Sequence, residues 1–528
     1  MTKDDTAAPA AGATRRWILG AGGILVLHAL WLAGNRVPPA WDMAYHQLAG
    51  WELARALSSG RWELLWQGLS DYYPPLYYWW EAAVFLVCGP VPWIAGAANL
   101  PGLLLLSYAT YRLATRVAGA AAAVAAGWLV LLFPLLAWSS RETLIDPSLA
   151  GVTALGLLAL VRLQERAGLS RAVAFGMVSA AGMWLKWTYP LFLAFPVAVA
   201  WFRSERRRET ALRLLDSALI AAPLVAAWYL PHLADLQARF RATAGAAAWE
   251  GDPPWYTVAG LLYYPRVLSG YYLFLPLTAL ALVAALRAQR NGSPPGGRAG
   301  ARLVAAALLG GLVLLTCLPA KDPRYAMPLA APLAVWLVTK LQVSDRLRRA
   351  TLALALLQFL AASFVPIPWK WSLFGEPDPC HYRNTAREWV WFSTHYYCVM
   401  GAPRREDWGY QRLLELLPAG ARVGFVPEHA RFHLVALQLA AAQQERRLQV
   451  FRLGDRDDWP RTLAAADWVV GKTGDQGIDV LTRFNGEVYE ALQILHWPVV
   501  AEWELPDGSR ARLWRNPAGP TPEGGTRD

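Results

Sequence analysis

Ionisable side chains stand at the ends of several long apolar stretches of this sequence. Asp42 follows the first stretch, Asp146 lies between the third and the fourth, and Lys186 ends the fifth. Lys321 and Arg324 lie in the short connection between the ninth and the tenth. A charge this close to hydrocarbon is costly and therefore indicates function. A carboxylate in such a place can take a proton from a hydroxyl or an amine, and Lys or Arg can neutralise a phosphate leaving group.

The composition of the chain indicates an integral membrane protein. Of the 528 residues, 55% are hydrophobic and only 17% are charged, whereas about 25% are charged in an average soluble domain. The net charge of +11 would suit nucleic acid, but Lys and Arg fall mostly in short clusters between apolar stretches, where they set orientation. We therefore expect membrane lipids, and no nucleic acid, as partners.

Eleven apolar stretches approach or reach the roughly 20 residues that a membrane-spanning helix needs. They cover about 17–34, 92–111, 118–138, 147–163, 171–187, 188–202, 214–232, 264–286, 302–319, 325–341 and 349–367. Basic clusters occupy alternate connections, which predicts that the amino terminus is inside and the carboxyl terminus outside. We expect no cleavable signal peptide, and we interpret the apolar segment 74–89 as a helix in the membrane interface.

The predicted organisation is mainly helical, with a small domain at the carboxyl end. Residues 1–16 form a cytoplasmic tail, 17–367 a membrane domain with a first outer loop at 35–91, 368–515 an outer α/β domain, and 516–528 a disordered tail. Alternating patterns predict strands in "ARVGFVPEH", "RLQVFRLG" and "DWVVGKTG", a helix in "ARFHLVALQLAAAQQER" and a hairpin around Pro-Asp-Gly.

The four cysteines of the chain divide into two kinds. Cys380 and Cys398 lie near the start of the outer domain, where an oxidising compartment permits a disulfide between them. Cys88 and Cys317 lie in apolar stretches, and we interpret them as buried small residues. The cysteine and histidine spacing does not suggest a structural zinc site, and the sequence offers no convincing pair of acidic metal ligands. We therefore predict no metal and no other cofactor.

Five short motifs follow one another on the predicted outer side: "WDMAYHQ", "DYYPPLYYWW", "RETLIDP", "WLKWTYP" and "KDPRYAMPLAAP". In order and spacing, across about residues 15–345, they resemble the GT-C integral-membrane glycosyltransferases of family 39. That group includes the protein O-mannosyltransferases and the lipid A aminoarabinose transferases. The resemblance implies sugar transfer from a polyprenyl phosphate to an acceptor on the outer face of the membrane, with inversion at the anomeric carbon. We expect a bacterial cytoplasmic membrane, because no eukaryotic retention signal ends the chain.

The resemblance also assigns roles to two carboxylates. Asp42 matches the acidic residue of the first outer loop, the candidate general base, and Asp146 matches an Asp of the second outer loop that positions the acceptor or supports the base. Many relatives have Glu after the first Asp, where this chain has Met43. His46 lies one helical turn from Asp42, within reach of a hydrogen bond to it. A structural interpretation of Asp146 is that, with Pro147, it begins and caps a helix.

Cations complete the predicted site, in which they would contact the phosphate of the donor. Arg324 and Tyr325 give the better match to the family, and Lys321 and Lys186 match similar positions. We also assign Arg141 to substrate binding. The alternative for Arg141 is a local ion pair with its neighbour, and the alternative for Lys186 is a side chain that extends to the membrane interface.

Two other function classes stay open from the sequence. The first is a transporter or flippase of a lipid-linked or small solute, which should show inverted repeats and mid-membrane charges. No internal repeat is evident, and the ionisable residues cluster near one face. The second is a polysaccharide polymerase or ligase that uses a polyprenyl-linked donor. The sugar is also open, and the acceptor can be lipid A, protein or a glycan.

Overall fold

The computed structural model describes residues 11–67, 73–249, 251–291, 298–342, 344–373, 388–396 and 400–518. Within these ranges the chain is mainly helical up to Phe364, and a five-stranded sheet dominates the part we call the C-terminal region, residues 400–518. The predicted fold class, a helical bundle followed by a small α/β unit, is confirmed. Cys380 and Cys398 lie outside the described residues, as does most of the predicted terminal tail.

The helices of the first part follow one another with short connections. They are α1 (Ala11–Gly34), α2 (Trp41–Ser58), α3 (Leu64–Gln67), α4 (Leu76–Cys88), α5 (Pro92–Ala97), α6 (Leu100–Ala118), α7 (Ala120–Leu129), α8 (Pro134–Arg141), α9 (Asp146–Glu165), α10 (Leu169–Leu185), α11 (Tyr189–Phe202), α12 (Arg207–Tyr229), α13 (Leu233–Trp249), α14 (Val258–Val267), α15 (Phe274–Asn291), α16 (Arg298–Cys317), α17 (Ala330–Leu341) and α18 (Asp345–Phe364). Short 3₁₀ turns occupy Val130–Leu132 and Pro323–Leu329, and a π-helical turn occupies Leu268–Tyr272.

Every predicted spanning stretch is largely helical, but two of them are bent. The third bends by 56° between Ala120–Leu132 and Pro134–Arg141, and the eighth by 104° between Val258–Tyr272 and Phe274–Arg290. The second bend has a local cause, because a π-helical turn precedes Phe274, whose φ is +52°. Among the described residues, five helices are long and apolar enough to cross a membrane unaided, and seven if each bent pair counts once. The number eleven therefore stays a prediction.

The C-terminal region is built on a mixed sheet with the strand order β4-β3-β5-β7-β6. A separate antiparallel pair, β1 (Lys370–Ser372) and β2 (Val390–Ser393), precedes it. The sheet strands are β3 (Arg422–Phe425), β4 (Gln449–Arg452), β5 (Trp468–Lys472), β6 (Val499–Glu504) and β7 (Arg510–Arg515), and the helices are α19 (Tyr410–Leu416), α20 (Leu434–Gln443), α21 (Trp459–Ala464), α22 (Asp479–Thr482) and α23 (Asn485–Ile494). Each predicted strand, the helix and the hairpin are present.

The prediction that Cys88 and Cys317 are buried is wrong. Both thiols are free and exposed, because Cys88 ends α4 and Cys317 ends α16. An apolar stretch of a membrane protein has a face toward lipid as well as a face toward the core, so hydropathy alone does not predict burial.

The C-terminal region packs against helix α2 of the bundle. Helix α20 lies along α2, and the indole nitrogen of Trp51 donates a hydrogen bond of 3.1 Å to the carbonyl oxygen of Ala442.

In the C-terminal region, the buried carboxylate of Glu428 lies 2.7 Å from a guanidinium nitrogen of Arg452. Burial raises the pKa of Glu428 to about 7, although the charge of Arg452 opposes that shift. The fold therefore favours the protonated form of Glu428.

The variant Glu428→Gln tests this effect of burial. A raised pKa in the folded state contributes stability that is complete below about pH 4.5 and is lost as the pH rises through about 7. Between about pH 4.5 and about pH 8, we expect wild-type unfolding free energy to fall, relative to the variant, by at most about 3 kcal/mol. Pulse proteolysis in urea at both pH values measures the difference.

The control for this experiment is Glu415→Gln, which changes an exposed carboxylate on α19. Its effect on the free energy of unfolding should be the same at both pH values. If the change in the free energy of unfolding caused by Glu428→Gln is also the same at both pH values, burial does not raise the pKa of Glu428.

Candidate active site

Four elements bring charged side chains together at one end of the bundle. Asp42 lies in the first turn of α2, Asp146 is the first residue of α9, and Lys186 directly follows α10. Arg324 lies in the 3₁₀ turn Pro323–Leu329, which precedes α17. These residues are far apart in the chain, and the packing of the helices makes them neighbours.

Asp146 and Lys186 form a buried ion pair. The ammonium nitrogen of Lys186 lies 2.7 Å from Oδ1 of Asp146, and only 6% of each side chain is exposed. Pro147 occupies the first turn of α9 as predicted, but the residue before the helix is Ile145 and no side chain caps this end. The prediction that Asp146 caps α9 is therefore wrong, because its carboxylate pairs with Lys186 instead.

Aromatic rings surround the ammonium group of Lys186. It lies 5.0 Å from the ring centre of Tyr325 and 5.7 Å from that of Tyr73, distances at which a cation is attracted to the face of a ring. A pocket beside it is lined mainly by aromatic and apolar residues, among them Trp187 and Phe240. The side chain thus points into the protein, and does not extend away from it as the alternative interpretation proposed.

Arg324 is shared by two carboxylates. Its guanidinium donates hydrogen bonds of 2.8 and 2.9 Å to Oδ2 of Asp322, and Nη2 lies 3.3 Å from Oδ2 of Asp42. Asp322 also accepts a hydrogen bond of 2.8 Å from the backbone amide of Arg324, which caps the 3₁₀ turn. Asp322 therefore fixes the direction of the Arg324 side chain.

Sequence reasoning gave Asp322 no role. The sequence did contain a local signal for this residue. An Asp followed by Pro, two residues before Arg324, is typical of a carboxylate that accepts a hydrogen bond from the backbone of a tight turn.

Asp42 differs from its neighbours because it is accessible. Its side chain is 57% exposed, whereas Arg324 is 17% and Asp322 is 7% exposed. The surrounding protein limits the hydration of this exposed carboxylate and so raises its pKa, but the positive charge of Arg324, with smaller contributions from His46 and Lys186, outweighs this effect and lowers the pKa below its usual value. Asp42 is thus an ionised carboxylate that a ligand can reach at neutral pH.

His46 lies in an aromatic cluster beside this carboxylate. Its Nδ1 is 2.9 Å from the hydroxyl oxygen of Tyr78, and the rings of Tyr73 and Tyr77 pack on it edge to face. Burial lowers the pKa of His46 to about 4, with the Asp42 charge opposing this shift, so the imidazole is neutral at pH 7. The predicted hydrogen bond to Asp42 is not what the structure shows: the Nδ1 partner is Tyr78.

Two of the predicted substrate-binding cations make their hydrogen bonds elsewhere. The ammonium group of Lys321 donates to the carbonyl oxygens of Thr316 and Leu318, at 2.9 and 2.7 Å. Arg141 is buried, and its guanidinium donates to Oγ of Ser363 at 2.8 Å and to Nδ1 of His28 at 3.4 Å. The structure thus places Asp42, Asp146, Lys186, Arg324, Tyr325 and His46 in one neighbourhood, and it directs Lys321 and Arg141 to other partners.

The described residues contain no group of three or more His, Cys, Asp or Glu side chains that could hold a metal ion. The expectation that the protein uses no metal stays a prediction.

Comparisons with known proteins identify the fold. No family model matches the chain, and no curated protein matches its sequence. The structure is similar to that of ArnT from Cupriavidus metallidurans in the apo state, with a TM-score of 0.60 at 16% identity over 97% of this chain and 100% of that chain. ArnT from the same organism bound to undecaprenyl phosphate gives a TM-score of 0.58 at 13% identity, with the same coverage.

A third similar structure is archaeal. The oligosaccharyltransferase AglB from Archaeoglobus fulgidus, in complex with an inhibitory peptide and a dolichol-phosphate, gives a TM-score of 0.50 at 13% identity, over 87% of this chain and 69% of that chain. These likenesses confirm the GT-C fold expected from the sequence, and the chain is a multi-pass membrane protein.

The variant Lys186→Met tests the energetics of the buried ion pair. It leaves the Asp146 charge buried and unpaired, so we expect the free energy of unfolding to fall by about 3–5 kcal/mol. The double variant Lys186→Met, Asp146→Leu should recover most of this loss, since no unpaired charge remains. Unfolding in mixed detergent micelles measures all three proteins.

Arg213→Met is the matched control, because it breaks a half-buried pair of 2.9 Å with Asp216 on the surface of α12. It should cost about 1 kcal/mol or less. A loss that persists unchanged in the double variant would show that packing, and not the unpaired charge, sets the stability here.

Proposed function

We propose that this protein is an inverting glycosyltransferase of the GT-C fold, with a polyprenyl-phosphate sugar as its donor. The acceptor lies on the outer face of a bacterial cytoplasmic membrane, and the amino terminus lies inside. The observation that supports this most directly is the accessible Asp42 carboxylate, 3.3 Å from Arg324 and next to the buried pair of Lys186 and Asp146. A base and two cations at one end of a helical bundle suit a transfer in which a phosphate departs.

The reaction is one displacement. A hydroxyl or amine of the acceptor gives its proton to Asp42, and its lone pair forms a bond to the anomeric carbon of the sugar. The bond between that carbon and the phosphate oxygen breaks, and its electron pair stays on the polyprenyl phosphate. Attack opposite the leaving group inverts the anomeric carbon. Arg324 and Lys186 hold the negative charge of the departing phosphate.

The unequal sharing of Arg324 links donor binding to the base. The contact with Asp42, at 3.3 Å, is longer and more exposed than the two contacts with Asp322, at 2.8 and 2.9 Å. A phosphate that binds Arg324 therefore displaces Asp42 more readily than Asp322. Since the charge of Arg324 lowers the pKa of Asp42, its diversion to the phosphate makes Asp42 a stronger base at the moment when the donor is in place.

The bound lipids of the similar structures support the donor class. The ArnT structure holds undecaprenyl phosphate and the AglB structure holds a dolichol-phosphate, and both are polyprenyl phosphates. The likeness in fold covers 97% of this chain and the whole of the ArnT chain, so a polyprenyl-phosphate donor is consistent with this architecture.

Sugar transfer in proteoliposomes tests the proposal. The assay supplies radiolabelled polyprenyl-phosphate sugars to the wild type and to Asp42→Asn, which keeps the shape of the side chain and removes its charge. We expect the variant to lose about 100-fold or more of the turnover, the usual contribution of a general base. Asp345→Asn, which changes an exposed carboxylate in an ion pair with Arg348, should transfer sugar like the wild type.

Equal transfer by Asp42→Asn and by the wild type would remove Asp42 as the base and leave Asp146 to test. If the wild type transfers no sugar but moves the labelled lipid across the bilayer, the protein is a flippase and the proposal fails.

A further inference from the structure

The segment before Asp42 lacks the features that usually fix a helix start. Residues 35–40 are not in regular secondary structure, and Pro38 and Pro39 have no amide hydrogen to donate. The residue before α2 is Ala40, and no side chain caps the helix. The position of Asp42 therefore depends on contacts that come from elsewhere in the chain.

Those contacts come from one loop of the C-terminal region, Glu428–His433, which we call the docking loop. Arg431 donates a hydrogen bond to the carbonyl oxygen of Pro38, and Nε2 of His433 lies 3.2 Å from the carbonyl oxygen of Pro39. The indole nitrogen of Trp41 donates a bond of 3.2 Å to the carbonyl oxygen of Glu428. Three of the four residues that precede Asp42 are thus held by the docking loop.

Arg431 also reaches the second outer segment. Its Nη2 lies 3.6 Å from Oε1 of Glu142, with 4% of the Arg431 side chain and 7% of the Glu142 side chain exposed. Pro38 is four residues before Asp42, and Glu142 is four residues before Asp146. One buried guanidinium therefore joins the two segments that carry the candidate catalytic carboxylates.

The docking loop is itself held by hydrogen bonds and close packing within the C-terminal region. The amide of Glu428 donates a bond of 2.7 Å to the carbonyl oxygen of Gln476, and the amide of His433 donates one of 2.9 Å to the hydroxyl of Tyr410. The carbonyl of Glu428 approaches Gly477 so closely that a Cβ there would lie 1.9 Å from its oxygen, and Gly477 has a φ of +99°. A loop fixed in this way can serve as a reference for the segments that it contacts.

From these contacts we infer that the docking loop positions Asp42 relative to Asp146, and that Arg431 is the positioning residue that joins them. Arg431 does not touch the reacting atoms. It acts through Pro38 and Glu142 on the starts of α2 and α9. The inference rests on the proposed function for its effect on turnover, but the geometry of the Asp42 segment can be measured without any activity.

The test uses the double variant Arg431→Met, Glu142→Gln in the full-length protein, because the paired change leaves no unpaired buried charge. The control is Arg422→Met, Asp467→Asn, which removes a pair of 2.7 Å at a more exposed site of the same region. Hydrogen exchange is followed in the first turn of α2, where the amide of Ala44 bonds to Ala40 at 3.0 Å. We expect about tenfold faster exchange there in the test variant only, because the segment is released.

Turnover supplies the second measurement. We expect kcat for sugar transfer to fall by about ten- to hundredfold, and KM for the donor to change by less than about twofold, since a misplaced group costs rate more than binding. The single variant Arg431→Lys keeps the charge but can donate to fewer acceptors. It should therefore have a higher kcat than the double variant.

Each outcome decides the inference. Unchanged exchange in the first turn of α2 would overturn it, whether or not activity changes. Faster exchange with unchanged kcat would also overturn it, since the contact would then be structural only. A wild type without sugar transfer would reject the proposed function, and the exchange rates would still decide whether the docking loop fixes the Asp42 segment.

Discussion

Charge burial at the end of the helical bundle is the constraint on which the rest of the structure depends. Lys186 and Asp146 are nearly inaccessible and lie 2.7 Å apart, and neither could be charged there without the other. Their pairing ties the end of α10 to the start of α9. An apolar pair of similar volume would hold these helices at least as well, so stability alone does not explain the charges. Under the function that we propose, Lys186 carries its charge in order to bind the phosphate of the donor.

In the second group of charges, Arg324 binds its two carboxylate partners unequally. Arg324 is held firmly by Asp322 and more loosely by Asp42, and Asp42 is the member that solvent or a ligand can reach. A site of this kind has a fixed cation, a fixed acid beside it, and an exposed acid that an incoming anion can displace. The docking loop of the C-terminal region also forms hydrogen bonds to the segment that leads into Asp42. If the docking loop positions Asp42 as we infer, the α/β unit is part of the framework of the candidate site.

Sequence patterns predicted those features that depend on local chemistry. The strands from Arg422 to Arg515 followed from alternation and from the Pro-Asp-Gly turn, and the placement of Pro147 followed from its fixed φ. The cluster of Asp42, Asp146, Lys186 and Arg324 was predicted from charges at the ends of apolar stretches and from the order of the motifs that resemble the family.

Features that depend on distant partners were not predictable. Arg324 meets Asp42 across 282 residues, and Arg431 meets Pro38 across 393, and a single sequence carries no signal for such contacts. For the same reason, the sequence suggested that Arg141 and Lys321 bind substrate, although each forms hydrogen bonds within the protein.

The most direct test of the central claim is a cryo-electron microscopy structure of the protein in lipid nanodiscs with undecaprenyl phosphate. Our account predicts that the phosphate lies against Arg324 and Lys186 and that the contact between Arg324 and Asp42 is broken. A phosphate bound elsewhere, with that contact intact, would contradict it.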